Sequence, residues 1–254
     1  MSDQVVQPSA EVAAPGLTQM QRVINVFAAP SKTFADIKAG NKSWWLPFLI
    51  TVVCGAFLWS AINSQVTWKT VYENQQKLQP EFAKRMMDQM PPDQRAAADA
   101  RGPKTQAITW ALSPLGLLIY DLLMALILWP TINFGFGGKA KYGSILAVIM
   151  YAGLVLWPIR LLLGGIALFA GAAPDGFNVG NPAPTNIAAF LNQADTNKAL
   201  YALLSAIDAP TIWCLIITSI GVAIVAGVKR PSGYIAVFGW WLVVTLVIVG
   251  IAAI

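Results

Sequence analysis

The chain contains no histidine, and only 11% of its 254 residues are charged. Lacking histidine, it lacks the commonest general base and the commonest transition-metal ligand. Zinc proteases built on two helical histidines, and serine–histidine intramembrane proteases, are excluded on that ground. Cysteine is nearly absent as well. Cys54 and Cys214 both lie in apolar runs, so neither a disulfide framework nor a thiolate metal site is expected. An aspartyl intramembrane protease needs two carboxylates sharing one site. Only Asp121 lies deep in an apolar run. No G-x-x-x-x-G-K-[ST] phosphate loop occurs; the glycine-rich "GFGGKAKYG" departs from that pattern and reads as a tight turn. The expectation is a protein that is not an enzyme and needs no cofactor or metal.

What the chain has instead is apolar length. Apolar residues make up 56% and mean hydropathy is +0.59, against roughly 45–50% apolar and about 25% charged residues in soluble domains. The net charge of +5 is spread along the sequence, which argues against nucleic acid and fits basic loops beside a bilayer. Five runs reach the roughly 20 apolar residues that a bilayer requires: 44–63, 107–133, 144–170, 209–228 and 233–254. The expected fold class is therefore all-α, an integral membrane five-helix bundle. Tryptophans near several span ends (Trp44, Trp45, Trp59, Trp110, Trp129, Trp213) fit an interfacial belt; Trp157, Trp240 and Trp241 lie deeper.

Before the first span, residues 1–16 lack periodicity and read as a disordered tail with no signal-peptide pattern. Residues 17–43 form a cytoplasmic amphipathic segment. Leu17, Met20, Ile24 and Phe27 recur at helical spacing, and Pro30 ends that helix. Ser31 can cap a second short helix carrying Phe34 and Ile37, which Gly40 stops. Two readings stand level: the pair lies on the membrane surface, or it docks on the protein. In the loop 64–106, Phe82, Met86 and Met90 share a helical face, Pro91 and Pro92 break it, and Gly102 ends a second polar helix. Further on, "NKALYALLSAID" forms a short amphipathic helix before the fourth span.

Charge sets the orientation. With the N-terminus cytoplasmic, the inner flanks carry Lys38, Lys42, Lys139, Lys141, Lys229 and Arg230, and the outer flanks carry only Lys69, Arg101 and Lys104. An odd number of spans then puts the C-terminus outside.

Four stretches together suggest a family. They are "VFAAPSKTFADIKAGNKSWWLPFLI", "MPPDQRAAA", "YAGLVLWP" and "IDAPTIWCLIITSIGVAIVAGVKRPSGYIAVFGWW". In order and spacing the chain resembles the Yip-one domain family of Ypt-interacting membrane proteins, its bacterial branch most of all, over about residues 26–254. The positions that carry the resemblance are Pro30, Phe34, Ile37, Trp45, Pro47, Tyr151, Pro158, Asp208 and Trp213. The Asp-Leu-x-Gly-Pro type motif of the eukaryotic branch is missing, so little follows about Rab-type GTPases. The resemblance implies five spans with a cytoplasmic N-terminus, in a bacterial cytoplasmic membrane. Its eukaryotic members act in vesicle trafficking and membrane shaping.

Two ionisable residues lie deep in apolar spans, Asp121 in the second and Arg160 in the third. Each alone costs about 2.5–3.5 kcal/mol at a bilayer centre. If the two spans form a straight antiparallel pair, these residues fall about three residues, roughly 4.5 Å of rise, from the same level. The spacing predicts an ion pair between them, either a structural tie between helices or a polar site for a lipid head group, an ion or a proton; the remaining alternative is that both face a water-filled cleft without pairing. The expected function is a membrane scaffold or adaptor whose partners are lipids, other membrane proteins or itself. The alternative is a small transporter or channel built on Asp121 and Arg160.

Overall fold

The computed structural model describes residues 16–79, 81–193 and 195–253, which are helical with no strand among them. Five helical runs are long and apolar enough to cross a membrane: Trp45–Val66, Ser113–Gly135, Tyr142–Phe169, Ala209–Ala226 and Arg230–Ala252. The expected tail at 1–16 lies almost wholly outside the described residues.

Two short helices come first, α1 (Gln19–Ala28) and α2 (Pro30–Ala39). Thr18 and Gln21 form a capping box at the start of α1, satisfying two otherwise orphaned backbone donors. Pro30 does not merely end α1. It opens α2, where its missing N–H costs nothing. The expected cap from Ser31 is displaced by that arrangement, and Ala29 becomes the single-residue elbow. Gly40 closes α2 with φ +129°, a conformation that suits glycine.

α3 (Trp45–Ala61) ends in a π-type turn, Ile62–Val66, and leads to α4 (Trp68–Leu78), α5 (Glu81–Asp88) and α6 (Pro92–Ala111). Gly102 does not end a helix. It lies inside α6, where a Cβ would stand 2.2 Å from the Tyr72 ring, so its small size lets α4 and α6 close together. The second span starts later than expected because Leu112 interrupts the helix and Pro114 restarts it as α7 (Ser113–Pro130).

The third span is broken. α8 (Tyr142–Ala152) passes through a 3-10 turn at Gly153–Val155 to α9 (Trp157–Phe169). Leu156 leaves regular helical geometry at φ −110°, ψ −68°, and Pro158 begins the new helix without needing a backbone donor. α8 packs beside α7, while α9 leaves α7 and packs along α3. Phe57 of α3 covers Gly165, where a Cβ would lie 2.5 Å from its ring.

A short helix, α10 (Lys198–Ala206), is capped by Asn197 and precedes α11 (Ala209–Ala226), which Asp208 caps. Gly227 turns the chain in the left-handed conformation into α12 (Arg230–Ala252). The backbone N–H of Lys139 donates to Ala226 O at 3.0 Å, joining the two inter-span turns on one face.

Burial divides into two cores. The larger holds Phe34, Ile37, Leu128, Ile145, Tyr151 and Ile217. The smaller holds Leu58, Ile62, Val71, Leu168 and Phe177. The break at 153–156 lies where the third span passes from one to the other.

Gly233 of α12 sits against α11, and a Cβ there would stand 2.3 Å from Ser219 O, a backbone atom that cannot give way cheaply. Gly233→Val should therefore cost about 1–3 kcal/mol, the usual cost of overpacking. Gly239 has open space around it, so Gly239→Val should leave the unfolding midpoint in detergent nearly unchanged. Thermal unfolding of both variants checks the contrast.

Candidate functional site

The charged groups with the most extensive contacts inside the bundle lie on the α1–α2 hairpin. Arg22 and Asp36 are 4% and 9% exposed. Arg22 Nε stands 3.4 Å from Asp36 Oδ2. One guanidinium nitrogen of Arg22 also donates to the carbonyls of Asn41 at 2.7 Å and Ser43 at 3.3 Å. Asp36 Oδ1 accepts from Asn41 Nδ2 at 2.7 Å and from the Leu17 backbone N–H at 2.9 Å. Thr33 Oγ1 donates to the Arg22 carbonyl at 3.0 Å.

This cluster reaches into the spans through Tyr151. The Arg22 guanidinium carbon lies 5.4 Å from the centre of the Tyr151 ring, within cation–π range. The Tyr151 hydroxyl donates to Ser43 O at 3.1 Å, just before α3 begins. One side chain of the broken span thus touches both the hairpin and the entrance to the first span. Burying two charges is tolerable here because both are paired and hydrogen-bonded.

Asp121 and Arg160 do not meet. Both are described residues, and no ion pair or hydrogen bond joins them. Asp121 is 5% exposed on α7 and makes no described hydrogen bond or ion pair. Its electrostatic neighbours are Tyr120 and Cys214 of α11. Arg160 turns the other way, its guanidinium donating to Gly180 O at 3.5 Å. Arg160 Nε is buried without a partner. The predicted pair assumed a straight third span. The break at 153–156 carries α9 away from α7 to α3, so equal depth no longer means adjacency.

The positions that carried the family resemblance occupy four places. Pro30, Phe34 and Ile37 lie on α2, the last two fully buried. Tyr151 holds the hairpin, and Trp213 meets Phe27 edge to face at 5.9 Å. Trp45 and Pro47 open α3, and Pro158 restarts the third span. Asp208 caps α11, accepting from the Thr211 N–H and hydroxyl, and it also accepts from the Thr185 hydroxyl. Asp36 and Arg22 were not singled out from sequence, although a signal existed. They lie equally far from the elbow at Ala29, which sets them at one level of a helical hairpin.

One cavity of about 800 Å³ lies between the segment 184–191 and the start of α11, lined by Ile187, Phe190, Ile212, Trp213 and Ile216 among others. A second, of about 590 Å³, lies among α4, α5 and α6 and is lined by Tyr72, Glu73, Arg95 and Asp99 among others. Neither is lined by Asp121 or Arg160. Among the described residues no three His, Cys, Asp or Glu side chains gather closely enough to hold a metal.

Two outcomes follow from this geometry. Arg22→Leu should destabilise the protein by about 3–5 kcal/mol, because it strands Asp36 in the core, and adding Asp36→Leu should recover part of that loss. Unfolding in detergent measures both. A double-mutant cycle on Asp121→Asn and Arg160→Gln should give a coupling energy below about 0.5 kcal/mol, as for separated sites; a larger coupling would show that the two groups pair.

A family model described as the Yip1 domain matches residues 24–252. Comparison with curated proteins and with solved structures found no significant match. The match begins inside α1 and ends at the last residue of α12, so it takes in most of the hairpin, the broken span and all five apolar runs. The chain belongs to the Yip1 domain family and is a multi-pass membrane protein.

Proposed function

We propose that this protein is a non-catalytic scaffold or adaptor that binds lipids or other membrane proteins and organises the bilayer around it. The observation that carries this reading is the use to which its buried charges are put. Arg22 and Asp36 join two helices to each other, and through Tyr151 to the first and third spans. Asp208 caps α11 and ties it to the preceding loop. The larger described cavity is lined by Asp208, but neither cavity is lined by Asp121 or Arg160. Charges spent on holding helices together support a structural platform more than a path for solutes.

The proposed location is a bacterial cytoplasmic membrane with the N-terminus inside. Lys38 lies beside Gly227 and Lys42 beside Gly143, so the hairpin's basic residues share a face with the turns that carry Lys139, Lys141, Lys229 and Arg230. That clustering supports a cytoplasmic face. A reporter fused after Ile254 should then be active outside the cytoplasm, and a cytoplasmic signal would reverse the orientation.

A second reading, a small transporter or channel, is favoured by two features. Asp121 is buried without a described partner, and the third span is interrupted, as transport helices often are. One experiment separates the readings. Protein purified from native membrane after crosslinking should carry bound lipids or proteins, and proteoliposomes should show no ion or proton flux above empty vesicles. A flux that Asp121→Asn abolishes would favour the transporter.

A further inference from the structure

We infer that the α1–α2 hairpin is a re-entrant element whose α1 face, bearing Met20, Ile24 and Phe27, is in contact with lipid acyl chains. This goes beyond the scaffold reading and stands independently of it.

Three contacts mark the hairpin's path along α11. Lys38 lies beside Gly227 at one end of that helix. Phe34 lies against Gly221, where a Cβ would stand 3.0 Å from its ring. Phe27, at the tip, meets Trp213. From Gly227 to Trp213 the rise along α11 is about 21 Å at 1.5 Å per residue. A second route gives a smaller depth. The Leu17 N–H is bound to Asp36, near the Lys38 end of α2, and from Gln19, where α1 begins, to Phe27 the rise is about 12 Å. The hydrocarbon layer is about 30 Å thick. If α11 crosses it, the hairpin enters from the Gly227 face and its tip lies within the layer.

The faces divide accordingly. On α2, Thr33, Phe34, Asp36 and Ile37 are buried against the spans. On α1, Met20, Ile24 and Phe27 are exposed, at 56%, 60% and 41%. They continue the outward surface of α11, where Trp213 and Ile216 are also exposed. Helical backbone satisfies its own hydrogen bonds, as hydrocarbon demands. At the elbow, the Ala29 N–H donates to Asn25 O and the Lys32 N–H to Ala29 O, while Pro30 has no N–H to strand. The buried charges of the hairpin, Arg22 and Asp36, point inward, while Gln21 is exposed on α1. Lys32 is the exposed cation nearest the elbow. It lies about 9 Å of rise below Lys38, so its long side chain must snorkel toward head groups.

The test uses the unmodified chain in vesicles containing a lipid with a photoactivatable diazirine near the middle of its acyl chain. After illumination, mass spectrometry should find adducts within residues 20–27 as well as on Leu123 and Leu126, exposed apolar residues of α7. Labelling of α7 with none on α1 would overturn the proposal. In a second arm, Ile24→Cys, Phe27→Cys and Ala39→Cys carry an environment-sensitive dye, in a chain with Cys54→Ala and Cys214→Ala. Dye at 24 and 27 should be quenched by mid-chain brominated lipid and untouched by aqueous iodide, and dye at 39 the reverse. Iodide quenching at 24 and 27 would place the face in water. Protection from both quenchers would mean that protein, such as a second copy, covers it. Either result defeats the lipid assignment.

Discussion

The buried ion pair between Arg22 and Asp36 is the constraint on which the rest of the inner architecture depends. Two charges can be taken out of water only if their partners are fixed, and fixing them sets the hairpin's register. With that register set, Phe34 and Ile37 face the spans while Ile24 and Phe27 face away. The backbone carbonyls of Asn41 and Ser43 are held by the same guanidinium. That fixes how the chain leaves the hairpin and enters α3. Tyr151 then joins this corner to the third span from the opposite side. The strongest electrostatics thus lie where three elements converge, and the apolar cores form around them.

The sequence revealed the large pattern because bilayers impose it bluntly. Run length and apolar content sufficed to find five helices. The places where the reading failed share a physical cause, which is that local residues act through distant ones. Gly102 carries a stop signal, yet the Tyr72 ring packed on it makes that glycine a contact point inside a helix. Pro158 signals a break, but no local rule tells which neighbour the second half will choose. That half packs along α3, with Phe57 seated on Gly165. A depth argument from straight helices could not foresee it, and Asp121 lost its nominated partner for that reason. The same argument, applied to the hairpin's elbow, would have found Arg22 and Asp36.

The interrupted third span gives the molecule its division of labour. Its first half belongs to the hairpin-bearing core, and its second half to α3 and the segment above it. Leu154 and Val155 are buried at the junction, so the break is packed rather than open. Arg160, just beyond it, holds a carbonyl of that overlying segment, and Gly164 lies under Pro182. The segment around 180–182 is thereby drawn down onto the helix instead of projecting freely. The tied loop on one face and the seated hairpin on the other give the bundle two distinct surfaces.

The hairpin's seat also has a consequence for the order of assembly. Its helices precede all five apolar spans in the sequence, yet the groove that receives Phe34 is completed by Gly221 of the fourth span. Until the fourth span is inserted, the hairpin lacks the α11 surface that completes the burial of that ring. These helices must therefore wait for a later-made span before they reach their final position. Their docking follows the insertion of the fourth span and does not precede it.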